Sequence, residues 1–247
     1  TPDASLAVII SDAQLAMVDL TQTPPKPTLI AIDDSLDPLP AEEVVLAPDG
    51  TFAFVRQFGA DELLVVDLLT HDIDRIPVGL NPTDLDLSPD GGQAVVVSRD
   101  DEQLWRFSVA DPYAIPNVID LPKGEYLGSL QFDPTGAQGI VYTTATRNDR
   151  YVSWDIPSDG TTLRSLVKPV QNITITPTGN AMLVDHTLQD AADADPNSSF
   201  YGEYALTMVD LEDPNHRSNP LKLPHPVNAW ANSSNGNATL NVSQGFT

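Results

Sequence analysis

Ser88-Pro89-Asp90-Gly91-Gly92-Gln93-Ala94-Val95-Val96-Val97 is the stretch whose reading decides the fold. Proline presets φ for the first central position of a turn, Asp follows, and Gly closes it where φ is often positive. Ahead of the turn, Leu85 and Leu87 alternate with Asp84, Asp86 and Ser88, the period-two pattern of a strand with one buried face. Behind it runs a second apolar stretch, Ala94 to Val97. The segment therefore reads as strand, tight corner, strand.

The same corner recurs as Ala47-Pro48-Asp49-Gly50, Asp133-Pro134-Thr135-Gly136 and Thr176-Pro177-Thr178-Gly179. Thr1-Pro2-Asp3 matches without the Gly, and Ser233-Ser234-Asn235-Gly236 without the Pro. Alternation before the corner repeats at Leu130 and Phe132 and at Ile173 and Ile175. A third strand recurs as Leu15–Leu20, Leu63–Leu68, Leu104–Val109, Tyr151–Ile156 and Leu206–Leu211, and a fourth leads into segments such as Ile76-Pro77-Val78-Gly79. A period of about 40–45 residues with four short strands is that of a β-propeller blade. The expectation is an all-β propeller of four-stranded blades, a single domain over 1–247, with units near 1–42, 43–83, 84–128, 129–171 and 172–226 and a partial one over 227–247. Three strands, then four in each of four units, then two, make about five blades. Because the chain starts and stops at the same point of the repeat, an arc of a six- or seven-bladed propeller is expected rather than a closed five-bladed ring.

On these residues, and on Leu63-Leu-Val-Val-Asp-Leu-Leu-Thr70 before them, the chain resembles the YVTN family of bacterial, WD-repeat-like β-propeller repeats. The resemblance covers nearly the whole chain. It implies the fold but little of function, since the matching residues shape turns and strands. Related propellers include lactonases, quinone-dependent amine dehydrogenases and haem-d1 nitrite reductases, and the residues show no His and Arg cluster that identifies any of them. Asn232 stands where the alternation expects an apolar residue, so the last unit departs most from the pattern.

The bulk composition excludes several classes. A formal charge of −23, from 35 acidic and 12 basic residues, makes nucleic acid and anionic membrane surfaces poor partners. The acidic bias fits calcium use, salty surroundings or simply a solvated surface. With no cysteine there is no disulfide, thiolate zinc site, covalent haem attachment or cysteine nucleophile. No apolar run is long enough to span a bilayer. No initiator Met or signal-peptide pattern stands at the start, and one module of a longer multidomain surface protein is a third reading beside a binding scaffold and an enzyme.

The longest insertion, about Leu188 to Tyr204, carries Asp190, Asp193, Asp195 and Asn197. Oxygen side chains at alternate loop positions can converge on Ca²⁺, the one cofactor the sequence suggests. The EF-hand pattern is incomplete, with Ser198 in place of Gly and Tyr204 in place of the bidentate Glu, which favours a solvated acidic loop. A second acidic insertion, Asp33-Asp34, Asp37-Pro38 and Glu42-Glu43, reads as a surface connection. Histidines stand at 71, 186, 216 and 225 without metal-ligand spacing; Asp185-His186, at a strand end, is where an active site would be sought. Asn-x-Ser/Thr triplets begin at Asn172, Asn197, Asn232, Asn237 and Asn241 and read as composition. Trp105, Trp154 and Trp230 read as blade packing. No nucleophile elbow, Walker loop, dinucleotide fingerprint or zinc-protease motif is present. The expected function is a non-enzymatic scaffold, periplasmic or at the cell surface, binding a protein or glycan; the alternative is a lactonase or quinone- or haem-dependent dehydrogenase with a site on one rim.

Overall fold

The computed structural model describes residues 1–243 other than 2, 12, 34–36 and 233–238, so the corners at Pro2 and Ser233–Gly236, Asp34 and the triplet at Asn237 lie outside the described residues. The side chains beyond 227, including Trp230, Asn232 and Asn241, are likewise outside it. The chain forms two compact units, Thr1–Leu121 and Pro122–Thr247. Among the described residues every regular element is a strand, and no helix is long and apolar enough to cross a membrane.

The first unit holds three antiparallel sheets. These are β1 (Leu6–Ser11), β2 (Gln14–Asp19) and β3 (Pro27–Ala31); β4 (Ala41–Leu46), β5 (Phe52–Gln57), β6 (Glu62–Asp67) and β7 (Ile73–Pro77); and β8 (Pro82–Leu87), β9 (Gln93–Ser98), β10 (Gln103–Ser108) and β11 (Asn117–Asp120). The second unit repeats the pattern with β12 (Ser129–Phe132), β13 (Gln138–Tyr142), β14 (Arg150–Asp155) and β15 (Gly160–Ser165), then β16 (Val170–Ile175), β17 (Ala181–His186), β18 (Tyr204–Asp210) and β19 (Ser218–Leu223), then the pair β20 (Val227–Asn232) and β21 (Thr239–Ser243). In every sheet, strands adjacent in sequence are adjacent in space, the meander that short turns dictate.

The corners explain the register. The carbonyls of Ala47, Ser88, Asp133 and Thr176 accept the N–H of Gly50, Gly91, Gly136 and Gly179 at 2.9, 2.7, 3.0 and 2.9 Å. Those four glycines sit at φ +73°, +70°, +73° and +73°. Each is a β-turn whose fourth residue is left-handed, set in a four-residue hairpin loop that at the first corner is closed by the Ala47 N–H donating to Phe52 O at 2.9 Å. It sets equivalent pairs at each corner: Leu46↔Ala53, Leu87↔Ala94, Phe132↔Gly139 and Ile175↔Met182.

Alternation then assigns faces. In the middle sheet of the first unit, Ala53, Val55, Leu64 and Val66 enter the core shared with β1–β3. Their neighbours Phe54, Leu63, Val65 and Ile76 enter the core shared with β8–β11. Second strands such as β5, β9 and β17 are buried on both faces, so they read as unbroken apolar runs. In the second unit, Ile140 and Tyr151 meet Ile173, Met182 and Val184 in the same way. Trp154 packs 6.0 Å from Phe132 and over Gly139, where a Cβ would fall 2.7 Å from its ring.

Successive corners also touch. A Cβ on Gly91 would lie 2.2 Å from Cγ of Pro48, and one on Gly179 would lie 2.9 Å from Oδ2 of Asp133 and 3.7 Å from Cδ of Pro134. Each corner thus rests on the corner one repeat earlier within its unit.

Much of the aspartate excess is turn chemistry. At the end of the third strand, Asp67 Oδ1 accepts the N–H of Leu69 and Thr70 at 2.8 Å, and Asp210 Oδ1 accepts those of Glu212 and Asp213. Asp19 holds the backbone and hydroxyl of Thr21 in the same way, and Asp49 those of Thr51. These hydrogen bonds favour the charged carboxylate and lower its pKa at Asp19, Asp49 and Asp67.

Candidate functional site

The second unit carries two groups of side chains at opposite ends of its strands. At the end away from the corners, the β13–β14 loop, the connection into β12 and the 187–203 insertion come together. One open cavity of about 480 Å³ is walled by Glu125, Tyr126, Asn148, Asp149, Arg150 and Asp193. A second, of about 240 Å³, shares Asp149 and Asp193 and adds Asp190, Asp195, Ser198 and Tyr201. Arg150 pairs with Glu125 at 3.1 Å, and Asn148 Nδ2 donates to the same carboxylate. Burial and then the nearby Asp193 raise the pKa of Asp149.

The insertion is held by a residue the sequence reading did not single out. Lys168, 2 % exposed, donates from Nζ to Leu188 O at 3.0 Å, Asp190 Oδ1 at 2.7 Å and Phe200 O at 3.3 Å. Asp190 Oδ2 accepts the N–H of Gly202 at 2.9 Å. One buried cation therefore ties both ends of the loop, and both oxygens of Asp190 are engaged. Asp195 Oδ1 accepts the backbone and side-chain N–H of Asn197 at 2.9 and 3.0 Å, an Asx turn. Of the four candidate calcium ligands, Asp190, Asp193 and Asp195 share a cavity wall and Asn197 does not. Among the described residues no three His, Asp or Glu converge as metal ligands must.

Asp185 and His186 are adjacent on β17, so their side chains leave opposite faces of the strand. His186 is 1 % exposed; Nδ1 meets Pro169 O at 3.2 Å and Nε2 meets Thr207 Oγ1 at 2.7 Å. Burial pushes its pKa down to about 4, and burial pushes that of Asp185 up to about 6. With both ring nitrogens bonded and no surface of its own, His186 is a neutral packing group.

At the corner end of the same unit, a cavity of about 350 Å³ lies between the β14–β15 turn and the β18–β19 turn. Its wall includes Arg164 and His216, and Tyr151 OH meets His216 Nδ1 at 3.1 Å behind it. The only sequence sign of this group is His216 itself, three residues beyond Asp213 in a turn.

The first unit has one unusual electrostatic group, on β4 and β8. Arg56 bonds Glu42 at 2.7 Å, Glu43 at 3.0 Å and Pro82 O at 3.1 Å, joining two sheets. Nearby Asp86 has its pKa pushed up to about 7, first by burial and then by Asp84 and Glu43. A carboxyl whose folded pKa is raised contributes fully below its unfolded pKa of 3.8, and that contribution is lost as pH rises through 7. Asp86→Asn is therefore expected to raise stability at pH 8 by about 1–2 kcal/mol, discounted for partial solvent access, and by less at pH 5. Denaturant midpoints at the two pH values check this; an equal shift at both would show that Asp86 is not titrating against burial. His186, lowered to about 4, works in the opposite sense, losing its contribution as pH falls from 6.5.

Four-stranded meanders with stacked corners, each unit burying its cores between consecutive sheets, are propeller blades. Among solved structures the chain is similar to hydrazine synthase of Kuenenia stuttgartiensis, a propeller-containing protein, with a TM-score of 0.66 over 97 % of this chain and 70 % of that one, at 19 % identity. Likeness at that identity shows the fold alone: the chain is a β-propeller of four-stranded blades. No protein-family model and no curated protein matches it.

Proposed function

We propose that the protein is a non-enzymatic scaffold of the YVTN-like kind, periplasmic or at the cell surface, whose second unit binds a partner on the rim away from its corners. Of a protein and a glycan, the glycan suits this rim better. The observation that carries the reading is the pair of adjoining open cavities sharing Asp149 and Asp193. Their walls carry carboxylate, amide and hydroxyl groups, which pair with sugar hydroxyls, and include Tyr126 and Tyr201, each about half exposed. Aromatic faces beside convergent polar groups suit a ring that is apolar on one side and hydroxylated at its rim. The closed-off His186 supports binding over catalysis.

An oligosaccharide array followed by titration tests this. The expected result is glycan binding that Asp149→Ala with Asp193→Ala weakens at least tenfold. No glycan bound, or binding indifferent to the pair, contradicts the reading; capture of a protein by the same rim would replace the glycan with that partner. A parallel calcium titration decides whether the loop also takes a cation. A midpoint raised at millimolar Ca²⁺ and restored by Asp193→Asn puts the ion here, and an unchanged midpoint leaves Lys168 as the loop's anchor.

A further inference from the structure

We propose that the cavity between the β14–β15 and β18–β19 turns is a binding site for a small organic carboxylate, with Arg164 and His216 as its donors. It is independent of the rim above, being at the other end of the strands.

Arg164 is an arginine without an acid. In a chain with 35 acidic and 12 basic residues, Arg164 makes no ion pair with any described residue. Neutral acceptors hold it instead: Nε donates to Ser153 Oγ at 2.8 Å and Nη2 to Pro214 O at 2.9 Å. Arg164 lines the cavity, and among the described residues nothing accepts from its Nη1 group.

His216 is the second donor. It is 8 % exposed, its ring stacks on Tyr151 at 6.1 Å, and among the described residues the ring's one hydrogen-bond partner is the Tyr151 hydroxyl, at Nδ1. Tyr151 is 1 % exposed, so a hydroxyl hydrogen without an acceptor there would be costly. The phenol therefore donates to Nδ1, and the neutral imidazole carries its proton on Nε2. That N–H has no acceptor among the described residues and belongs to a ring that lines the cavity. Burial, and then Arg164, hold the ring neutral by lowering its pKa to about 4.

A guanidinium and a fixed N–H lining one cavity offer donors for the two oxygens of one carboxylate. Asp155 and Glu212 on the same wall repel any anion in proportion to its charge, which favours a monoanionic carboxylate over the more highly charged phosphate.

The test titrates the full chain with acetate, lactate and inorganic phosphate at neutral pH, followed by amide chemical shifts or calorimetry. Acetate or lactate is expected to saturate, with phosphate at least fivefold weaker. Arg164→Gln should weaken carboxylate binding at least tenfold. Tyr151→Phe, which frees the imidazole tautomer, should weaken it a few-fold. Glu212→Gln, at an exposed wall position, should tighten it two- to fivefold, a gain that a damaged fold cannot mimic. No saturation by either carboxylate, tighter binding of phosphate, or unchanged affinity in Arg164→Gln and Glu212→Gln would overturn the proposal.

Discussion

Gly91→Ala should lower the unfolding free energy by about 3 kcal/mol or more, the larger of two glycine effects that separate packing from backbone strain. A Cβ at this position would lie 2.2 Å from Pro48 Cγ, on a residue at φ +70°. The left-handed backbone alone costs a non-glycine residue about 1–2 kcal/mol, and overpacking adds about 1–3. Gly59 supplies the comparison, since it sits at φ +75° with nothing within 4 Å of a Cβ. Gly59→Ala should therefore cost only about 1 kcal/mol. Denaturant unfolding of both variants checks the difference, and equal losses would mean that the corners at Pro48 and Gly91 do not press on each other.

Lys168→Met should cost about 3–5 kcal/mol, because removing one partner of a buried ion pair leaves the other charge without compensation. Asp190 would be left 14 % exposed without its cation, and the carbonyls of Leu188 and Phe200 would lose a shared donor. Restoring a neutral partner with Asp190→Asn should recover part of the loss. Limited proteolysis gives the local readout: the parent should resist cleavage within 187–203 and Lys168→Met should be cut there first. A variant as stable and as resistant as the parent would mean that the insertion is held by something other than Lys168.

What was legible in the chain follows from the range of the forces involved. The corners could be read because Pro, Asp and Gly act on the backbone within four residues, and the structure puts a left-handed glycine at each described one. The apolar runs of the second strands could be read because burial on both faces removes the alternation. The recurring Asp at the end of the third strand carried a usable signal in the Thr two residues after Asp19 and three after Asp67, which marks a side-chain-capped turn.

The candidate sites were less legible because their partners are remote in sequence. Asp190 looks like one member of an oxygen-rich loop until Lys168, 22 residues earlier, is brought against it. Tyr151 and His216 are 65 residues apart and meet only when consecutive sheets pack. Asp185 and His186 suggested a pair by adjacency alone, although strand alternation already sends neighbours to opposite faces.

The stacking of corners can be measured directly, because a chain without cysteine gives a clean background for cross-linking. A Cβ on Gly91 would lie 3.4 Å from Cβ of Pro48, near the lower end of the range a disulfide spans. The double variant Pro48→Cys with Gly91→Cys should form an intramolecular disulfide under mild oxidation, while Pro48→Cys with Gly59→Cys should stay reduced. Free thiols at 48 and 91 after oxidation of folded protein would contradict the stacked-blade account.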